Sequence, residues 1–110
     1  MAYFVGSMSK KYGKLVRDRI PEIIRANGEV PVTRELDDKE YLAELVKKLK
    51  EEVDEFAADH SVEELADIKE VMIALREALG IHAGELEDVR RKKATKNGRF
   101  KKRIYLESVE

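Results

Sequence analysis

The chain has 110 residues, of which 43% are hydrophobic, 6% aromatic and 41% charged, with a net charge of −1, no cysteine and two histidines. That length gives one domain whose interior must be built from Leu, Ile, Val and Ala, which favours helices over a sheet sandwich, and a chain so short gains from a partner subunit. The absence of cysteine excludes disulfides, thiolate zinc sites and a cysteine nucleophile, so any metal must be held by carboxylates or by the two histidines.

At the N-terminus, the apolar stretch Ala2 to Val5 is too short for the core of a signal peptide, and no run approaches the ~18 apolar residues of a membrane span. A cytoplasmic address is therefore expected. Gly6-Ser7-Met8 reads as the junction left by an expression vector, so residues 1–7 are set aside and a single domain is expected over 8–110. Pro21 sits where a helix can begin and Asn27-Gly28 where it can stop, which predicts a short helix over about 21–27. Glu29 to Leu36, with Pro31 and the β-branched Val30, Val32 and Thr33, reads as an extended connection.

Asp37 or Asp38 then caps a long helix, and Leu42, Leu45, Val46, Leu49, Val53 and Phe56 recur at three- and four-residue steps as one apolar stripe up to about Asp59. Ser61 and Glu64 match a capping box that opens the next helix after a tight turn. That second long helix carries Leu65, Ile68, Val71, Met72, Leu75 and Leu79 and ends at Gly80, and a third runs from Glu85 to about Lys96 with Gly98 as its stop. Arg103 to Glu107 has no helical stripe and reads as a short extended arm. The expected fold is all-α, an antiparallel helical hairpin plus flanking helices.

Two acid pairs at i, i+3 spacing flank the turn, Glu52 with Glu55 before it and Glu64 with Asp67 after it, at reciprocal distances from its centre. An antiparallel hairpin can converge all four on one small volume. On the helical wheel Glu64 falls inside the apolar arc and Asp67 beside Val71 and Ala74, poor places for solvated charge unless a cation offsets the desolvation. All-oxygen ligation selects a hard ion, Mg²⁺ before Zn²⁺, with Mn²⁺ as a substitute. The competing reading is a solvated acidic face, common in a chain this charged, with Glu64 serving only as a capping residue.

The run Lys48-Leu49-Lys50-Glu51-Glu52-Val53-Asp54-Glu55-Phe56, followed by Glu64-Leu65-Ala66-Asp67-Ile68, resembles the EExxE and ExxD motifs of MazG-like nucleotide pyrophosphohydrolases. Lys14-Leu15-Val16-Arg17-Asp18-Arg19-Ile20-Pro21 is similar to the opening of the small phosphoribosyl-ATP-pyrophosphohydrolase-like branch of that all-α superfamily, and the resemblance covers about residues 12–106. It implies a MazG-like helix bundle completed by oligomerisation as a homodimer or homotetramer, Mg²⁺ held by Glu52, Glu55, Glu64 and Asp67, and cleavage of a nucleoside triphosphate to monophosphate and pyrophosphate. The turn between the motifs is tighter than in larger MazG domains. In the stretch Lys93 to Phe100, Lys93, Gly98 and Phe100 match the family pattern, whereas Asn97 and Arg99 depart from it.

Hydrolysis of this kind needs positioning and charge neutralisation more than covalent chemistry. Glu51 or Glu52 is the candidate to take a proton from the attacking water. Arg17, Arg19, Lys93, Asn97 and Arg99 are the candidates to bind substrate, with Asp18 a partner for either arginine; His60 and His82 are assigned no role. Three further readings stand beside this one. The first is phosphoribosyl-ATP itself as substrate, and the second is a family member that binds nucleotides without cleaving them. The third is a non-enzymatic helical dimerisation module whose basic C-terminal segment binds nucleic acid or an acidic partner.

Overall fold

The computed structural model describes residues 12–110, so the expression-remnant reading of residues 1–7 lies outside the described part. The described chain is all-helical, with α1 at Ile20–Ala26, α2 at Asp38–Ala58, α3 at Val62–Ala78 and α4 at Ala83–Asn97. None of these helices is long and apolar enough to cross a membrane. The chain divides inside α3 into two compact units, one running to Leu75 and one from Arg76 to Glu110.

In the first unit, α1 starts one residue earlier than Pro21 predicts, and its last turn is closed by the Asn27 side chain, which donates to the Ile23 carbonyl at 3.1 Å. Gly28 then takes a left-handed φ of 84°, which lets the Glu29 N–H reach back to the Ile24 carbonyl. The connection to α2 is irregular, with Val30 and Val32 almost fully exposed. Asp37 caps α2 by accepting from the Glu40 N–H at 2.8 Å. After the turn, Ser61 Oγ accepts from the Glu64 N–H at 3.2 Å and so starts α3. The turn itself carries His60, whose ring packs tilted against Phe56 at 5.3 Å between centroids.

The buried line of α2 is Leu45, Lys48 and Glu52, so two of its three buried positions are charged. The apolar stripe read from the sequence is split: Leu45 is buried, Leu42, Leu49 and Phe56 are half-buried, and Val46 and Val53 stay exposed. On α3 only Val71 is buried, while Leu65 and Met72 are exposed. With about 100° per residue, Val46 and Val53 lie roughly a quarter turn from Leu45, and Leu65 and Met72 a similar quarter turn from Val71. Because the helices run in opposite directions, quarter turns of the same sense bring these four side chains to one side of the hairpin, and Lys48, Glu55 and Asp67 fall toward the other. The hairpin thus has an apolar face and a charged face, with very little fully enclosed interior between them.

In the second unit the turn before α4 is held by Arg76, whose guanidinium donates to the Ile81 carbonyl at 2.7 Å, and Gly80 is left-handed at φ 70°. α4 begins two residues before the expected Glu85 and ends, as the sequence predicts, at Gly98, whose N–H bonds the Ala94 carbonyl. No residue of this unit is buried, and residues 104–110 form no regular structure, while Arg103, where the sequence predicts that an extended arm begins, is left-handed at φ 58° and closes a turn by donating its N–H to the Phe100 carbonyl at 3.2 Å.

Candidate metal centre

Glu52 and Glu55 are presented by α2 and Glu64 and Asp67 by α3, and the fold brings one carboxylate oxygen from each to within 4.8 Å of all the others. The reciprocal spacing about a short turn is what produces this convergence. Glu64 is also the third residue after Ser61. Its N–H takes the cap bond, while its carboxylate joins the cluster with one oxygen, Oε2, buried and unpartnered. The capping role and the cluster role therefore fall on different atoms of one residue.

Glu52 is only 2% exposed, and its Oε2 also has no hydrogen-bond partner, as does Oε2 of Glu55. Burial first, then the hydrogen bond and negative charge of Glu55, push the Glu52 carboxyl from its ordinary 4.5 up to about 7, against the opposing pull of Lys48. Glu64 is raised as well, by burial first, with Glu55 and Asp67 adding to it. Leaving three buried carboxylate oxygens without donors is costly, and carboxylates so arranged favour a cation in their midst. The donor set is all oxygen, which fits Mg²⁺ or Mn²⁺ and offers nothing to a soft metal.

Cations of the chain border this cluster. Lys48, 7% exposed, places Nζ 3.5 Å from both Glu51 and Glu52. Arg17 Nη2 donates to Asp67 Oδ1 at 2.6 Å, joining residues fifty apart in the chain. Lys48 was not singled out from the sequence, although its i, i+4 spacing to Glu52 on a helix was the available signal. Lys14, also passed over, reaches Glu51 at 3.5 Å.

The remaining sequence candidates are distributed differently. Glu51 lies outside the group of four, engaged by Lys14 and Lys48. Arg19 is strongly exposed and pairs with Glu22 at 2.8 Å, so the two arginines meet Asp67 and Glu22 instead of Asp18. Lys93, Asn97 and Arg99 do come together, lining a shallow concavity with Phe100 and Lys101 where α4 ends in the second unit.

No family model and no solved structure matches the chain. A stretch of 45 residues, 41% of the chain, is 62% identical to part of an uncharacterised protein of Mycolicibacterium smegmatis, and this match covers 46% of that protein, less than half its length.

Proposed function

We propose that this chain is a cytoplasmic, Mg²⁺-dependent nucleoside triphosphate pyrophosphohydrolase that cleaves the α–β phosphoanhydride to release a nucleoside monophosphate and pyrophosphate. The observation that carries the reading is the buried, partnerless Glu52 Oε2 inside a group of four carboxylates drawn from one hairpin. A merely solvated acidic face would leave those oxygens to water. The resemblance of the two acidic motifs and of the Lys14–Pro21 segment to MazG-like enzymes supplies the reaction class.

Glu52, Glu55, Glu64 and Asp67 would hold the cation, which when bound neutralises charge on the phosphate oxygens and lowers the barrier to water attack. Glu52 is the stronger candidate to handle a proton, because its Oε2 is unengaged whereas Glu51 already faces two lysines. Lys48 holds the buried side of Glu52 in place. Lys93 is a proposed substrate contact on resemblance, and Asn97 and Arg99, which depart from the family pattern, are proposed only on the concavity they share with it.

Assembly as a homodimer or homotetramer is part of the proposal. Val46, Val53, Leu65 and Met72 are each between about two-fifths and just over one-half exposed, at 41%, 47%, 52% and 47%, on one side of the hairpin, and a second copy would cover them.

The test is incubation with Mg²⁺ and a panel of canonical and modified nucleoside triphosphates plus phosphoribosyl-ATP, with separation of mono- and diphosphate, pyrophosphate and phosphate, and a Glu64→Gln control. Monophosphate with pyrophosphate, lost with EDTA and in the variant, is the expected result. If no substrate is cleaved with Mg²⁺ or Mn²⁺, the enzyme reading fails. The basic segment with its 98%-exposed Phe100 among Arg99, Lys101 and Lys102 then favours nucleic-acid binding, read by salt-dependent retention of duplex DNA.

A further inference from the structure

Among the described residues, two cations from different elements approach the four carboxylates, and the two are held very differently. Lys48 belongs to α2, is 7% exposed, and sits one helical turn from Glu52, so helix geometry and burial keep it in place. Arg17 lies in the irregular segment ahead of α1, its side chain is 54% exposed, and it grips Asp67 through one nitrogen. Its hydrogen bond is single, without the parallel pair that makes arginine–carboxylate contacts hard to exchange. On Asp67 the bond engages Oδ1, and on Glu52 Lys48 lies 3.5 Å from Oε1, while Oε2 of Glu52, Glu55 and Glu64 is buried without a donor.

We infer that Arg17 is a displaceable internal counter-ion, which occupies Asp67 in the metal-free protein and yields it when a divalent cation enters. The inference rests on the metal-binding reading above and adds a regulation of that site. The charges support it. With Lys48 in place, a divalent ion offsets two of the carboxylate charges where Arg17 offsets one, so the ion is the stronger counter-ion for the group. Once that ion is present, a guanidinium on Asp67 faces a dication at close range, and its attraction to the carboxylate is offset by repulsion from the metal. Lys48 is confined by its helix, so Arg17 is the cation that leaves. Its guanidinium is then released at the mouth of the site with all its donors open to an anion.

Competition has a signature that a positioning contact does not. If Arg17 merely held Asp67 in the right rotamer, removing it would weaken metal binding; as a competitor, removing it strengthens binding. Mn²⁺ is titrated into the full chain by electron paramagnetic resonance of the free ion, with the metal-dependent shift in thermal midpoint as a second readout, for wild type, Arg17→Gln, Arg17→Lys and Glu64→Gln. We expect Arg17→Gln to bind Mn²⁺ about tenfold more tightly, and Arg17→Lys, which keeps the charge, to stay within about twofold of wild type. Unchanged or weaker binding in Arg17→Gln, with Glu64→Gln still abolishing it, would overturn the competition and leave the metal site standing. Absence of Mn²⁺ binding in every form would remove the metal reading and this inference with it. Should Arg17→Gln fold poorly, an Arg17→Lys form that binds several-fold more tightly than wild type would equally contradict the charge argument.

Discussion

The α2–α3 hairpin and the α4 segment are both dense in charge, yet their charges stand in opposite relations to solvent. In the hairpin, carboxylates of one sign are gathered below the surface, with three oxygens lacking donors and Glu52 raised to about 7. On α4, Arg90 and Arg91 both meet Glu87 within one turn, no side chain of the helix is buried, and Glu87 is held below its ordinary value by Arg90 first. Charge that is solvated or paired locally costs nothing to keep, whereas buried like charge is retained against stability. A functional site is better located by charge that is out of place than by charge that is abundant.

The largest test of that contrast is at its buried end. Glu52→Gln removes the buried carboxylate and should stabilise the metal-free protein at neutral pH by on the order of 2 kcal/mol, about 9 °C in midpoint, while abolishing any further rise on adding Mg²⁺. A midpoint that drops in the metal-free variant would mean that Glu52 is structurally satisfied. The same group sets a pH dependence. Between 4.5 and about 7 the folded chain keeps a proton that the unfolded chain has released, so metal-free stability is fullest below that window and declines as pH rises through it. Thermal melts from about pH 5 to about pH 8 should show this decline, and the stabilisation by Mg²⁺ should grow over the same range because the bound ion displaces the proton.

A smaller effect is expected at the apolar side of the hairpin, where Val53→Asp should reduce the mass measured by light scattering at micromolar concentration to the single-chain value. An unchanged mass would show that assembly, if any, uses another surface. At the solvated end the comparison predicts almost nothing: Lys102→Ala, and Arg34→Ala at the exposed Arg34–Glu40 pair, should leave the thermal midpoint unchanged within error. A clear loss in either would break the distinction drawn here.

Much of this was legible in the sequence because it is local. Asp37, Ser61, Gly28 and Gly98 place helix ends by hydrogen bonds or backbone angles formed within a few residues, and the acid pairs are placed by helix spacing and one turn. The contact of Arg17 with Asp67 was not legible, because nothing in either segment encodes a meeting across fifty positions. Periodicity misassigned the inner face of α2 for a related reason. It locates where apolar residues cluster, and on this helix the most enclosed line runs through Lys48 and Glu52, leaving Val46 and Val53 outside. A hydrophobic pattern reports one optimum, and here two faces of one hairpin share the helix.

The short turn that joins α2 to α3 has a kinetic consequence. All four carboxylates lie between Glu52 and Asp67, so the site has very low contact order and its closure requires almost no chain search. What opposes docking of the two helices is mutual repulsion as the acids converge, a barrier set by charge instead of topology. Divalent cations should therefore accelerate refolding of the hairpin, and monovalent salt should reproduce part of that acceleration by screening alone.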